Sequence, residues 1–271
     1  MDTKQSQTEI AADVAINLGA TKKFIVPSGG EVEIREQNGA DDDALSNPVA
    51  AKNGDNINDF LSRVVVKTNL TKSGRFDKSN ILDLMIRDKY VIMFMSRIHS
   101  LGNVIKFEFA WAEDDKANYE EDLMRYVWDY SKPMEDFPWD ETHKEFDSQR
   151  IQPYPERDKK TMELTLKSGK HIRLDYMNGH SEKYLLNLQD DQKTRNVELK
   201  VRNLQQQVES EWHKVENFEF FSPKDMMELR TLVNKLDPEF NSFSELEHPR
   251  TGETFNFPIV GSTSFFYPTE I

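Results

Sequence analysis

The sequence predicts an α+β protein made of two similar half-units, each a β-hairpin, then helices, then a second β-hairpin. Three observations carry that reading. A Ser-Gly turn between short alternating apolar stretches occurs twice, at a constant offset of 140 residues. Helical periodicity follows each turn, with cap residues at the helix starts. A second alternating stretch rich in phenylalanine closes each half.

The first hairpin is Phe24-Ile25-Val26, then Pro-Ser-Gly-Gly, then Glu31 to Ile34. Extended residues on either side of a glycine-containing turn are a hairpin signal. Its counterpart reads Met162 to Leu166, a Lys-Ser-Gly-Lys turn, and His171 to Leu174. Between positions 28–47 and 168–187 the identities are Ser28/Ser168, Gly29/Gly169, Asn38/Asn178, Gly39/Gly179, Leu45/Leu185 and Asn47/Asn187. They fall on turn positions and alternating apolar sites, where backbone conformation and strand register restrict the choice of residue. The acidic run Asp41 to Asp43 suits a helix start, where carboxylates meet the positive end of the helix dipole.

In the first half, Ile57 to Lys67 reads as helical, and a longer helix is expected over Asn80 to Ser100. Ser79 is its expected cap and Gly102 its stop. Its second half, Tyr90 to Met95, is apolar nearly all round, which predicts a central buried helix. In the second half, Val197, Val201, Leu204 and Val208 predict a helix over Thr194 to Glu211. Ser222-Pro223-Lys224-Asp225 starts another helix, which runs to about Leu236 before Asp237-Pro238 closes it. Val104 to Trp111 and Phe243 to Glu247 alternate as strands, the latter returning through Phe255 and Phe257. The expected organisation is a polar arm over 1–22, a first half-unit over 23–112, a connector over 113–160 and a second half-unit over 161–271. In the arm, Ile10 to Leu18 can form a short amphipathic helix; in the connector, Glu120 to Ser131 can be helical.

Composition narrows the function. Net charge is −13 and charged residues make up 31% of the chain. Nucleic acid is therefore not an expected partner, because phosphate binding needs clustered Lys and Arg. The basic spots in Arg195 to Arg202 are interleaved with Glu198 and apolar residues, as on a solvated helix face. No cysteine is present, which removes disulfides and thiolate sites and fits a reducing compartment. The longest apolar run, Tyr90 to Met95, falls far short of the roughly 20 residues of a membrane span. Met1 to Gly19 lack the basic and apolar regions of a secretory leader, so membrane and export roles are not expected.

No catalytic centre is legible. The six histidines (His99, His143, His171, His180, His213 and His248) have no paired helical spacing. Contiguous acids such as Asp41 to Asp43 and Glu120 to Asp122 point in different directions along a chain and seldom converge on one atom. Pro27 to Gly30 is too short to cradle phosphate, and no nucleophile elbow is present. The expectation is a non-enzyme with no cofactor and no metal. The better candidates for function are aromatic residues in proline-broken segments: Trp128, Tyr130, Phe137 and Trp139 in the connector, and Phe265, Phe266 and Tyr267 near the end. Such side chains either insert into a partner, where Trp and Tyr supply binding energy, or fold back over the body.

The order of certain motifs resembles a known family. V-P-S-G-G-x-V-x-I-R-E followed by an acidic patch and L-S-N, then S-R-I-x-S-x-G-N before an F-x-F strand, is similar to the T-even-type phage baseplate hub and tail assembly proteins. Relatives also occur in contractile injection systems. P-x-D-x-x-x-L-R-x-x-V-x-K-L-D-P-E-F and a terminal S-F-F-Y-P resemble that family's ending. The likeness spans roughly residues 24–110 and 222–268. It implies a structural or chaperone-like component of the baseplate hub, with hub, central spike or tape-measure proteins, or further copies of itself, as partners. It places the chain in the host cytoplasm during assembly or in the virion. The alternatives are an accessory of a tail-tip cell-wall hydrolase and a tape-measure-binding chaperone absent from the mature particle. Several relatives carry C-P-x-C-G knuckles after the long helices, implying zinc. Here those stretches read Ala112 to Asp115 and His248-Pro249-Arg250-Thr251-Gly252, so the expectation is hairpins held by phenylalanine packing, without metal.

Overall fold

The computed structural model describes residues 20–138, 150–260 and 263–267. The chain is α+β with antiparallel sheets. Strands β1 (Thr21–Ile25), β2 (Glu31–Arg35) and β3 (Val65–Thr68) form one sheet in that order. Helices α1 (Gly39–Leu45), α2 (Pro48–Ala51) and α3 (Asp55–Val64) lie between β2 and β3 in sequence. A four-stranded sheet follows the order β6 (Thr161–Thr165), β7 (His171–Asp175), β8 (Gln205–Val208) and β9 (Glu211–Lys214). Between β7 and β8 come α5 (Gly179–Leu186) and α6 (Val197–Val201). The long helices α4 (Ile86–Leu101) and α7 (Pro223–Leu236) are followed by the hairpins β4–β5 (Val104–Ala112, Asp115–Asp122) and β10–β11 (Phe243–Glu247, Thr254–Pro258). A short α8 (Thr263–Phe266) comes last.

The two Ser-Gly turns have matching geometry. Val26 N–H donates to Gly30 O over 2.9 Å, and Leu166 N–H to Lys170 O over 3.0 Å. Gly29 and Gly169 sit at φ +87° and +83°, a region that side chains with a Cβ seldom enter. Asn38 and Asn178 are both extended (φ −138° and −134°) and both cap the helix that follows, accepting from Ala40 N–H and Ser181 N–H. On the return strands, Val32 and Ile34 in one and Ile172 and Leu174 in the other are fully buried, with more exposed residues alternating between them.

The two cores do not follow the halves of the sequence. One surrounds α4, whose Val91 to Met95 are buried without interruption, and it also takes in Leu246, Ile259, Phe265 and Phe266 from beyond residue 240. The other surrounds β6, β7 and α7 and takes in Met85 from the first half.

Four predicted helices differ. The one expected over Asn80 to Ser100 starts only at Ile86, after a single 3-10 turn at Ile81–Asp83. Leu84 to Ile86 are instead held by backbone pairing: Ile86 N–H donates to Met177 O over 2.9 Å and Gly179 N–H to Leu84 O over 3.1 Å. Ser79 does not cap that helix; its N–H and hydroxyl close a turn on Asp77. The helix expected over Thr194 to Glu211 is only α6, because Asn203 enters positive φ and the glutamines beyond it pair with β7 and β9. Glu120 to Ser131 is the end of strand β5 and one 3-10 turn, since β4 recruits Asp115 to Asp122 as its partner. Similarly α3 ends at Val64, where Val65 joins the first sheet. Ile10 to Leu18 lie outside the described residues.

A buried ionic group joins the parts. Asp237 accepts from Arg87 Nη2 at 2.9 Å, Arg202 Nη1 at 2.5 Å and Met177 N–H at 3.0 Å. Arg87 also donates to the carbonyls of Pro153 (3.1 Å) and Leu236 (2.6 Å), and its guanidinium lies over the Tyr154 ring. Next along the helix, buried Asp88 accepts from Ser28 N–H at 3.0 Å. Burial removes water from this carboxyl and pushes its pKa up to about 7, against the opposing pull of Ser28 and Arg87.

Two measurements check this account. A Cβ on Gly179 would lie 2.8 Å from Leu82 Cα, whereas Gly39 at the equivalent helix start has nothing within 4 Å. Gly179→Ala is expected to lower unfolding free energy in urea by about 1–3 kcal/mol, as overpacking does, and Gly39→Ala to change it by under about 0.5 kcal/mol. Equal effects would contradict the docking of α5 against Leu82. Between pH 4 and 7, Asp88 is protonated in the folded chain and ionised in the unfolded one. The folded state then binds the extra proton, so this group's contribution falls as pH rises and levels off above about 7. Relative to Asp88→Asn, the natural chain should lose up to roughly 4 kcal/mol across that window, at about 1.4 kcal/mol per pKa unit. Parallel stability-versus-pH curves for the two would refute the raised pKa.

Candidate protein-docking groove

Three tyrosines shape the segment after β5. Asp122 caps the 3-10 turn Leu123–Arg125 by accepting from Met124 N–H. The Tyr126 hydroxyl donates to Phe243 O at 2.9 Å and the Tyr130 hydroxyl to Ile151 O at 2.6 Å, while Ile151 N–H donates back to Tyr126 O at 2.9 Å. Burial raises the Tyr130 hydroxyl pKa beyond the ordinary phenol range, so it stays a neutral donor. Tyr154, beneath Arg87, completes the set. The anchored chain leaves Trp128 half-buried, with its ring edge-on to Tyr130 and Phe137 at 5.7 and 5.3 Å.

Opposite this wall runs β1, and a groove of about 530 Å³ lies between them. Phe24 and Ile25 line one side, Met124, Val127 and Trp128 the other, and Val91 and Met95 of α4 the floor. Met124 is 46% exposed, much for an apolar side chain beside a cavity. Lys23, Lys132 and Arg150 stand at the rim, with Glu31 and Asp129 as the acids.

Among the described residues the edge of β1 is open: β1 pairs with β2 alone, and the Val26–Gly30 hydrogen bond fixes which residues face that partner. Alternation then turns the N–H and C=O of Lys22 and Phe24 toward β2 and those of Thr21, Lys23 and Ile25 outward. Among the described residues these outward groups have no backbone partner. A free edge next to an apolar trough is a site for a further strand.

The residues picked out by sequence are dispersed. Trp128 and Tyr130 line the groove. Phe137 is buried and packs edge-on against Trp128, which supports the wall. Trp139 lies outside the described residues. Phe265 and Phe266 are not available for insertion into a partner: they are 0% and 9% exposed, edge-on to Phe94 and Phe60 at 5.2 and 5.3 Å. Arg97 Nε fixes the Phe265 carbonyl at 2.6 Å, so the tail completes the core around α4. Tyr267 stays at the surface with its hydroxyl donating to Asp42 O at 3.1 Å. Sequence reasoning missed Phe24, Ile25 and Met124. The signal available for β1 was its Lys22-Lys23 pair, since lysine is frequent on unpaired edge strands.

The acidic clusters do not converge. Asp41 is buried and accepts both ends of the Arg35 guanidinium, at 2.7 and 2.9 Å. Glu120 meets Lys106, Glu121 meets Arg125 and Ser244, and Asp122 meets Asn103. Among the described residues no group of three or more His, Cys, Asp or Glu is placed to hold a metal ion, and no helix is long and apolar enough to cross a membrane. The hairpins β4–β5 and β10–β11 meet through stacked rings, Phe107 on Phe257 at 4.5 Å and Phe109 on Phe255 at 4.9 Å. At the turn between β10 and β11, His248 Nδ1 accepts from Arg250 N–H and Thr251 N–H, and its Nε2 reaches Asp115 at 3.0 Å.

Comparison with protein-family models, with curated proteins and with solved structures yields no match to this chain.

The groove and the tail separate in their response to mutation. Phe265→Ala should cost about 3–5 kcal/mol of stability, as loss of a buried aromatic does. Met124→Ser should cost less than about 1 kcal/mol, in line with a half-exposed site. Denaturant titration of both variants measures this, and a Phe265 variant of unchanged stability would return the tail to the partner-binding candidates.

Proposed function

We propose that this chain is a non-enzymatic structural or assembly component of a contractile phage-type baseplate hub, acting through contacts with hub, central spike or tape-measure proteins. The observation that carries the contact role is the groove beside β1, an apolar trough bounded by a strand edge that is unpaired among the described residues. Surfaces of that kind bind polypeptide, because the edge supplies ordered donors and acceptors and the trough supplies apolar area. The assignment to a tail is supported by the order of motifs along the sequence. Those motifs build the frame of the fold: V-P-S-G-G forms the β1–β2 turn, S-R-I-x-S-x-G-N ends α4, and P-x-D-x-x-x-L-R opens α7. The matched turn and cap geometry of the two hairpins supports an origin by internal duplication.

Affinity capture of the full chain from cells assembling particles, with mass spectrometry of capture and purified particles, tests the proposal. Co-capture of hub, spike or tape-measure proteins is the expected result. Presence in the particle then identifies a permanent subunit, and presence only in the capture an assembly chaperone. Finding no tail protein in the capture and no chain in particles would overturn it.

A further inference from the structure

We propose that the groove accepts an extended, acidic segment of a partner protein, which joins the first sheet as a fourth strand along β1. The inference rests on the contact function proposed above and specifies the chemistry of that contact.

The backbone sets the mode of binding. Thr21, Lys23 and Ile25 direct their N–H and C=O groups outward at every second residue, the repeat an added strand requires. Hydrogen bonds made there would count for more than on an open surface, because an added strand would cover Phe24, Met124 and Trp128 in the same step and displace water from the trough. The side chains set the preference. A partner strand presents alternate residues to each face, so apolar residues at every second position would meet the trough.

Charge selects the partner. The chain carries −13 overall, yet β1 has Lys22 and Lys23 in five residues, and Lys132 and Arg150 stand on the groove rim. Lys23 reaches Glu33 only at 3.7 Å, and among the described residues Lys132 and Arg150 are in no salt bridge. Glu31 and Asp129 are the opposing rim charges, and the Asp129 carboxylate accepts from Ser131 N–H and hydroxyl. An acidic strand is therefore favoured, while a second β1 edge, with its own lysine pair, is repelled.

The experiment uses the full chain and a displayed library of random twelve-residue peptides, selected at low salt. The enriched peptides should show alternating apolar residues and an excess of Asp and Glu. Residue-resolved hydrogen exchange should find the Lys23 and Ile25 amides fast in the free chain, and slowed at least about tenfold by a synthetic copy of the most enriched peptide. Lys23→Pro, which deletes an outward N–H at a position where an edge strand tolerates proline, should weaken that peptide at least about tenfold. Met124→Asp and the pair Lys132→Glu/Arg150→Glu should do the same, and they keep the test decisive if Lys23→Pro unfolds. Slow exchange at Lys23 and Ile25 without peptide would mean that the chain covers its own edge. That result overturns the inference, as do the absence of enriched peptides, a basic consensus, or variants that bind normally. Capture of tail proteins by Lys23→Pro or Met124→Asp chain would end this docking mode and leave the assembly function standing; loss of capture by the natural chain with peptide binding intact would do the reverse.

Discussion

The carboxylate of Asp237 is the point on which the remaining geometry depends. It lies between two buried guanidinium groups and a backbone N–H, joining the start of α4, the end of α6, the end of α7 and the chain leaving β7. Burying such charges is costly, and their mutual attraction offsets the cost only when the remaining hydrogen-bonding capacity is filled. Here carbonyls fill most of it, with Arg87 donating to Pro153 and Leu236 and Arg202 to Asp175, while the buried Arg87 Nε has no partner among the described residues. Removal of one partner from an arrangement of this kind typically costs about 3–5 kcal/mol, because a charge is left without compensation. The contact with Pro153 extends the influence further. It fixes residues 150–154, and Ile151 in turn holds Tyr126 and Tyr130, which support the far wall of the groove. The far wall of the groove is thus tied, through Pro153, Ile151 and the two tyrosines, to an ionic group that does not line the groove.

That dependence also explains what was and was not legible in the sequence. The hairpin turns, the helix starts at Asn38, Asn178 and Ser222, and the closing hairpins are local events, each decided within about five residues by φ, capping and alternation. They could be read directly. The start of α4 could not, because it is decided by Met177 and Gly179, some ninety residues away, which take the backbone groups of Leu84 and Ile86. The same applies to Gln205 to Val208, where apolar spacing suggested a helix and pairing with β7 and β9 made a strand. Local propensity sets a preference, and tertiary hydrogen bonding overrides it when the sheet supplies a partner. For the groove, Trp128 and Tyr130 were visible as aromatic residues out of pattern. Phe24 and Ile25 were not, since whether a strand is an edge is a property of the whole sheet.

The paired phenylalanine hairpins show the same division. Alternation marks both as strands, and Phe107, Phe109, Phe255 and Phe257 were expected to pack; that they stack on one another is seen only once the second hairpin lies against the first. His248 is buried beside them, accepting two turn N–H groups at one nitrogen and facing Asp115 with the other. With Nδ1 used as an acceptor, Nε2 is the ring nitrogen that donates toward the Asp115 carboxylate. One imidazole thus closes the turn and links β10–β11 to the start of β5, a cross-link made of hydrogen bonds and ring contacts.

Two hairpins of matched turn geometry have different surroundings, and this bears on why a docking site would form at only one of them. β6, like β1, is the outer strand of its sheet. Its Met162 and Leu164 are committed to the second core, and Thr161, Glu163 and Thr165 between them are polar. In β1, Phe24 and Ile25 are only partly buried: they pack against the edge of the first core and also line the trough with Met124 and Trp128. Strand addition in open water gains little, since each new hydrogen bond replaces one to solvent. It becomes favourable where apolar side chains beside the edge are covered in the same step, at roughly 25 cal/mol for each Å² removed from water. The segment that supplies this wall, residues 123–132, follows β5, whereas the chain after β11 places Ile259, Phe265 and Phe266 in the core around α4. An inserted connector, pinned by tyrosines and by the Arg87 contacts, thereby turns one of two similar edges into a groove.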